Sequence, residues 1–172
     1  ANYKNVASAK LCTTLENEFG VKVSTVEHLL AALYIANIDN AVIEINNEEV
    51  PIMDGSAREF LNILDQIETQ TLKKKRKYLK ILNKIEMLDG ERKISIEPNG
   101  SSFQVDFQLS YKNTIIGNQR NTINFEKDDL DDVIGSRTFC LYEDIEKIKK
   151  AGLAKGGSLD NAVVVNGSHV MN

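Results

Sequence analysis

Cysteine and histidine are both scarce in this chain, and their scarcity limits the chemistry it can carry. The 172 residues include two cysteines and two histidines. Cys12 and Cys140 lie far apart and form no CxxC pair, so we expect free thiols in a reducing compartment, the cytoplasm. A catalytic zinc ion takes about three protein ligands, so a single histidine such as His28 cannot hold one alone.

The chain also lacks long apolar runs and a strong excess of either charge. It contains no apolar stretch of membrane-spanning length and no recognisable signal peptide, so we expect no stable membrane insertion. The formal net charge is −4 at pH 7. The protein as a whole therefore has no positive potential that would attract nucleic acid or anionic membranes. The one basic run, at 73–77, is typical of a solvated linker, and a phosphate or membrane patch is the alternative.

The length and the order of patterns predict an α+β fold made of two similar units. A chain of 172 residues has room for one medium domain or two small ones. We expect a first sandwich at 1–72, a basic linker at 73–77 and a second sandwich at 78–172, each with a sheet on one side and helices on the other. Both sandwiches look incomplete, so the chain is expected to be the central portion of a longer protein.

Three helices are indicated by apolar spacing and by capping signals. Ser24-x-x-Glu27 has capping-box spacing, and the following leucines form an apolar stripe, so a helix should begin at Ser24. We expect Ser24 to cap this helix without help from the Glu27 side chain. Ser56-x-x-Glu59 predicts a second helix in the same way. A third helix should follow the segment SRTF at 136–139 and end before Gly152 at its C′ position.

Several strands are predicted from β-branched content and from turn residues. They are expected at 41–45, 78–87, 91–97, 103–110, 121–125 and 162–165. The dipeptides Asp89-Gly90 and Asn99-Gly100 indicate hairpin turns between neighbouring strands. His169 is expected to be an exposed turn or strand residue.

Glu27 and His28 are adjacent at the start of an apolar helix, and each has two interpretations. Glu27 is either a capping-box partner or a general base, and His28 is either structural or a metal ligand. Neighbouring helix residues diverge by about 100°, so both side chains can border one cleft. A histidine that binds zinc beside a free glutamate is the arrangement that metal-assisted hydrolysis needs, because the metal lowers the pKa of water and the carboxylate removes its proton.

Three further segments carry polar residues whose roles the spacing leaves open. Asp54, in the segment MDGS, belongs either to a plain turn or to a site where it orients a metal ligand or a substrate group. Thr138 is either a helix-entry residue or a hydrogen-bond donor to a reacting carbonyl oxygen. Gly156-Gly157-Ser158 is too short for a phosphate loop and favours a tight turn or a close backbone approach.

Five blocks, taken together and in order, resemble one protein family over essentially the whole chain. They are VSTVEHLLAAL, IDNAVIEIN, VPIMDGSA, SRTF and GLAKGGSLDNAVVV. They resemble the UDP-3-O-acyl-N-acetylglucosamine deacetylases of lipid A biosynthesis. The resemblance implies a Zn²⁺-dependent amidase of Gram-negative bacteria that removes the acetyl group from UDP-3-O-((R)-3-hydroxyacyl)-N-acetylglucosamine. It also implies two similar βααβ-type sandwiches with the site at their junction, and we expect a monomer.

The resemblance implies a role for individual residues of this chain. His28 would be a zinc ligand, Glu27 the general base, and Thr138 the residue that polarises the scissile carbonyl or its oxyanion. The implied substrate-binding residues are Leu11, Cys12, Phe139, Asp144, Ile145 and Gly157. Phe139 would line the glucosamine pocket and Asp144 would lie near the nucleotide-sugar. Ile145 and Gly157 would border the acyl passage, whereas Leu11 and Cys12 would approach the metal and the ligand.

The chain also departs from the pattern of the family. Two further zinc ligands in a His-Lys-x-x-Asp segment and a later general-acid histidine have no counterpart, and the surroundings of His169 do not match that segment. The fragment alone is therefore expected to be inactive. The alternative function is a non-catalytic UDP-sugar-binding remnant without the metal site.

Overall fold

A computed structural model of the chain describes residues 2–100 and 102–172. Its α-helices are α1 (Glu27–Ile35), α2 (Arg58–Leu64), α3 (Asp131–Ile134) and α4 (Ile145–Lys150), with 3₁₀ turns at Tyr3–Asn5 and Tyr142–Asp144. Its strands are β1 (Val6–Ser8), β2 (Thr14–Glu16), β3 (Lys22–Val23), β4 (Ile85–Asp89), β5 (Arg92–Ile96), β6 (Gln104–Ser110), β7 (Asn118–Asn124), β8 (Phe139–Leu141), β9 (Val163–Asn166) and β10 (His169–Val170). The mixture of helices and small sheets confirms an α+β protein.

The chain divides into two compact units. The first contains 2–69, Asn113–Ile115 and Asp131–Asn172, and the second contains Gln70–Lys112 and Ile116–Leu130. The predicted division into two sandwiches with a linker at 73–77 stays a prediction.

The first unit contains two three-stranded sheets. Strands β1, β2 and β3 pair antiparallel in that order. Strand β9 lies between β8 and β10, parallel to β8 and antiparallel to β10. Parallel neighbouring strands need a crossover connection. Here the crossover is the segment that links β8 to β9, and it contains α4. Val164 and Val165 of the central strand are buried, as a middle strand requires.

The core of the first unit lies where α1 and α2 meet. Val26, Ala32, Val50, Ala57 and Phe60 are buried together. Ala32 is fully buried, so α1 packs most closely at this residue. The predicted leucine stripe is only partly internal, because Leu33 is buried and Leu30 is 42% exposed.

The second unit consists of two antiparallel hairpins, β4 with β5 and β6 with β7. The first hairpin turns at Asp89-Gly90, as predicted, with Asp89 opposite Arg92 and Gly90 at φ +59°. Gly90 is suited to this position because a tight hairpin turn needs positive φ. Asn99-Gly100 joins β5 to β6, which pair with other strands, so the second predicted hairpin turn is wrong.

Several predicted elements are confirmed near the carboxyl-terminal part of the chain. Strand β9 covers 163–166 and matches the strand expected at 162–165. Gly152 follows α4 at φ +75° and its amide donates to Lys149 O at 2.9 Å, as a C′ glycine does. His169 is exposed on β10.

Among the described residues, no helix is both long enough and apolar enough to cross a membrane.

The segment at 41–45 is not a strand, although its β-branched residues predict one. It is exposed throughout and pairs with no strand in the described parts of the chain. β-Propensity mainly reflects packing on a pleated surface, so the pattern alone does not make a strand without a partner.

Candidate functional site

Glu27 and His28 line one cavity of the first unit, which we call the Glu27 cavity. Its volume is about 210 Å³, and its other lining residues are Ala31, Ala57, Val133 and Ser136. Both side chains are half-buried at the first turn of α1. The structure therefore brings together the two residues whose adjacency the sequence singled out, on the wall of one hollow.

The Glu27 carboxylate is anchored across the chain and does not fold back onto its own helix. Its Oε2 accepts a hydrogen bond from the Thr13 backbone N–H at 3.1 Å. Helix α1 begins at Glu27, and its N-cap residue Val26 makes no side-chain cap bond. The prediction that Ser24 caps this helix is wrong, because the Ser24 hydroxyl instead bonds the Thr14 hydroxyl at 3.0 Å.

Thr25, two residues before Glu27, has a strained backbone. Its φ is +58°, a region that β-branched residues rarely adopt. Such strain costs about 1–3 kcal/mol and persists only where the surroundings enforce it. Thr25 is 7% exposed, and its hydroxyl donates to Glu49 Oε1 at 2.7 Å.

The MDGSA loop at 53–57 forms a second ordered region that ends at the cavity wall. Asp54 Oδ1 accepts from both the backbone N–H and the hydroxyl of Ser56, at 2.9 and 2.7 Å. Burial raises the pKa of Asp54, but the Ser56 hydrogen bonds, an interaction with its own backbone and the Arg137 charge together lower that pKa below its usual value. Asp54 therefore supports the loop that carries Ala57, as an ionised group at neutral pH.

Thr138 does not line the Glu27 cavity, but the same loop holds it. Its N–H donates to Gly55 O at 2.8 Å, and its carbonyl accepts from Val163 N at 2.9 Å. Gly55 has φ +89°, and a Cβ at this position would overlap the backbone carbonyl of Asn161. Only glycine fits this position without displacing the GGSLDNA segment.

Arg137 connects the two loops on either side of Thr138. Its Nε donates to Asp54 O at 2.8 Å, and its Nη2 donates to Asp160 O at 2.6 Å and to Leu159 O at 3.4 Å. The rigid fork of a guanidinium suits this set of acceptors. Arg137 therefore fixes the backbone that precedes Thr138.

The far wall of the cavity is joined to the start of α2. Ala57 N donates to Ile134 O at 3.2 Å. Arg58 donates to the Asp131 carboxylate at 2.9 Å and to the Asp131 carbonyl at 3.0 Å. The hydrogen bond from Arg58 and its charge lower the pKa of Asp131. These contacts hold α3, and with it Val133, against α2.

Leu11 and Asp144 line a second cavity of the first unit, of about 280 Å³. Its other lining residues are Lys10, Lys147, Ile148, Ala151 and Leu153. Lys147 Nζ bonds Asp144 Oδ1 at 3.1 Å, so the acidic group is paired at the rim of a largely apolar hollow. Two of the predicted substrate-binding residues are therefore brought together, at a place other than the Glu27 cavity.

The remaining predicted site residues line neither cavity. Cys12 lies 3.9 Å from the Thr14 hydroxyl, and Phe139 begins β8 with 36% exposure. Ile145 begins α4, and Gly157 N bonds Ala154 O in a tight turn. Their substrate-binding roles stay predictions.

The side chains that the structure describes do not fit a complete zinc site. Within 2–100 and 102–172, no three His, Cys, Asp or Glu side chains lie together in a way that could hold a metal ion. His28 offers one imidazole, whereas a catalytic zinc takes about three protein ligands.

These features define an α+β protein with a carboxylate and an imidazole on the wall of one cavity, two groups that can each transfer protons. The model of the family described as LpxC, UDP-3-O-acyl N-acetylglycosamine deacetylase, matches residues 1–172. The chain belongs to this family.

Curated relatives resemble the chain along nearly its full length. The UDP-3-O-acyl-N-acetylglucosamine deacetylase of Nautilia profundicola is 37% identical over 97% of this chain and 57% of its own length. That of Phenylobacterium zucineum is 38% identical over 97% of the chain and 57% of its own. That of Syntrophotalea carbinolica is 40% identical over 98% and 54%. The chain thus spans little more than half the length of these relatives.

Sequence reasoning missed three residues that organise the site: Thr25, Glu49 and Arg137. Arg137 lies inside the SRTF block, directly before a predicted site residue, so its position was a usable signal. The other two offered none, because a left-handed threonine and its glutamate partner 24 residues away follow from tertiary structure.

Proposed function

We propose that the complete protein containing this chain removes the acetyl group from UDP-3-O-((R)-3-hydroxyacyl)-N-acetylglucosamine, the committed step of lipid A biosynthesis. The observation that carries this proposal is that Glu27 and His28 line one cavity in a chain that matches the deacetylase family from residue 1 to residue 172. The substrate class is that of the relatives, which are UDP-3-O-acyl-N-acetylglucosamine deacetylases.

Glu27 is the proposed general base. A carboxylate has two oxygens and about four acceptor positions, so accepting the Thr13 N–H leaves room for a water molecule. That water loses a proton to Glu27 as its oxygen forms a bond to the acetamide carbon. The C–N bond then breaks as the nitrogen takes the proton held by Glu27, and the products are acetic acid and a free amine, which ionise in water to acetate and an ammonium group.

Thr138 is the proposed donor to the carbonyl oxygen as negative charge develops on it. Its backbone N–H and C=O are both engaged, by Gly55 and Val163, so its main chain is fixed on both sides. A preorganised donor of this kind is worth about 10²–10³ in kcat when it reaches the oxyanion.

Zn²⁺ is the proposed cofactor, with His28 as one of its ligands. Zinc would polarise the carbonyl and lower the pKa of the attacking water. The support is the family match together with the position of His28 beside Glu27 on the cavity wall. Metal analysis of the complete protein tests it, because His28→Ala should lower the bound zinc, and an unchanged zinc content would argue against this ligand.

We propose two βααβ-type sandwiches, a monomeric protein and a cytoplasmic location. Leu11, Cys12, Phe139, Asp144, Ile145 and Gly157 are the proposed substrate-binding residues. Leu11 and Asp144 have the most support, because they share an apolar cavity with a charged rim.

Acetate release from the UDP-sugar substrate tests the proposed function on the complete protein. We expect Glu27→Gln to lower kcat by about 10²–10⁴, the range that a general base contributes. The matched control is Glu59→Gln, because Glu59 is the acidic residue in the first turn of α2 and does not line the Glu27 cavity. Equal activity of the Glu27 and Glu59 variants would contradict the role of Glu27.

Assays on the same preparations distinguish the deacetylase from a non-catalytic binding module. UDP-sugar binding by the wild-type protein without acetate release would favour a non-catalytic remnant. Acetate release by the wild-type protein with loss in the Glu27 variant favours the deacetylase.

A further inference from the structure

We propose that Glu49 is a positioning residue that acts through Thr25 to aim Glu27 into its cavity. The proposal rests on the proposed base role of Glu27 and adds a residue to it. Three observations carry it: the left-handed conformation of Thr25, the bond from its hydroxyl to Glu49, and the backbone pairing beside them.

The segment at 48–50 runs alongside the residue before Thr25. Ser24 N donates to Glu48 O at 2.8 Å, and Val50 N donates to Ser24 O at 3.0 Å. Ser24 and Glu49 form an isolated parallel bridge. The backbone is therefore fixed up to Ser24, and the next residue, Thr25, sets the direction in which the chain leaves toward α1.

Thr25 makes the turn that decides where Glu27 lies. Its φ of +58° is unfavourable for a β-branched residue, so the conformation persists only if a contact holds it. The hydroxyl bond to Glu49 Oε1, at 2.7 Å, is such a contact. Thr25 is buried while Glu49 as a residue is exposed, so the carboxylate reaches inward to meet the hydroxyl.

Besides this contact, the start of α1 has one long backbone bond, from Val26 N to Thr13 O at 3.5 Å. Its N-cap residue Val26 makes no side-chain cap bond. On the opposite side, Thr13 holds Glu27 by a single bond from its N–H at 3.1 Å. The segment from Ser24 to Glu27 therefore lies between two anchors, Thr13 and Glu49, and losing the Glu49 anchor lets Thr25 relax to negative φ and shifts Glu27.

The test compares substitutions that keep the Thr25–Glu49 bond with substitutions that remove it, in the complete protein with the acetate-release assay. Thr25→Val and Glu49→Ala remove the bond, and Thr25→Ser and Glu49→Gln keep a donor or an acceptor. We expect the first pair to lower kcat about 10–100-fold with KM changed less than about threefold, since a shift of about 1 Å costs up to about 10²-fold. The second pair should stay within about threefold of wild type.

The double variant with Thr25→Val and Glu49→Ala gives a further readout. Both changes break the same link, so its kcat should equal that of either single variant, and their effects should not add. The matched control is Thr122→Val on β7 of the second unit, which should leave kcat unchanged. A purely structural role predicts a lower unfolding midpoint with unchanged kcat for each folded molecule, and that result would overturn the proposal, as would additive losses.

Two outcomes separate this proposal from the proposed function. No acetate release by the wild-type protein contradicts the proposed function and this proposal with it. Release that is lost in Glu27→Gln but normal in Glu49→Ala overturns the positioning role alone. If Thr25→Val does not fold, Glu49→Ala gives the same test without changing the strained residue, and recovery by Glu49→Gln is then the supporting result.

Discussion

Replacing Arg137 is expected to loosen the two loops that hold Thr138. The guanidinium makes close bonds to Asp54 O at 2.8 Å and to Asp160 O at 2.6 Å, and a longer one to Leu159 O at 3.4 Å. Arg137→Met removes all three, whereas Arg137→Lys keeps the charge but presents a compact ammonium that cannot span the same acceptors.

The size of the effect follows from the two close bonds. A hydrogen bond to a charged group contributes about 1.5–3 kcal/mol, and the half-buried position of Arg137 favours the lower end for each. We expect Arg137→Met to lower the free energy of unfolding by about 3 kcal/mol and Arg137→Lys by about half as much. Because Thr138 directly follows, kcat should fall in the same order.

Urea unfolding and acetate release, measured on the same preparations of the complete protein, check this prediction. The control is Arg120→Met on β7, which removes an exposed pair with Asp106 in the second unit. We expect little change there, because exposed ion pairs stabilise weakly. Equal midpoints for the methionine variants at 137 and 120 would refute the reasoning, and so would a lysine at 137 that behaves like wild type.

Two further changes test the MDGSA loop. Gly55→Ala should destabilise the protein by more than the roughly 1–2 kcal/mol that a left-handed residue costs, because the new Cβ also overlaps Asn161 O; an unchanged unfolding midpoint would contradict the close approach. The lowered pKa of Asp54 predicts stability that is present above the ordinary carboxyl pKa of about 4 and is lost as pH falls through the lower folded pKa. Asp54→Asn should therefore flatten the acid side of a plot of unfolding midpoint against pH, and an acid side as steep as that of wild type would argue against it.

The elements that sequence patterns predicted correctly are those fixed by neighbours in the chain. Asp89-Gly90 makes a hairpin because the turn needs positive φ at its glycine and the flanking residues pair across it. Gly152 ends α4 for a similar local reason. The segment at 41–45 failed because a strand needs a partner, which no pattern within five residues can supply.

The site was predicted less completely than the helices and hairpins. The adjacency of Glu27 and His28 was enough to indicate a shared cleft, and the two do line one cavity. The capping box was misleading because Ser24 and Glu27 both found tertiary partners, Thr14 and the Thr13 N–H. A hydrogen bond to a distant residue replaces a local cap only when folding brings that residue close. The spacing of residues in the sequence does not show which distant residues come close.

Residues with positive φ show why prediction from local sequence patterns fails at the site in particular. Thr25, Met53 and Ala154 have φ between 50° and 58°, and each lies inside a segment that carries the family resemblance. None is a residue type that prefers this region, so local rules predict the wrong backbone at each. Strain of this kind persists where tertiary contacts enforce it, as the Glu49 bond does for Thr25. Where local preference and observed conformation disagree in this way, a functional constraint is the physical reason to test first.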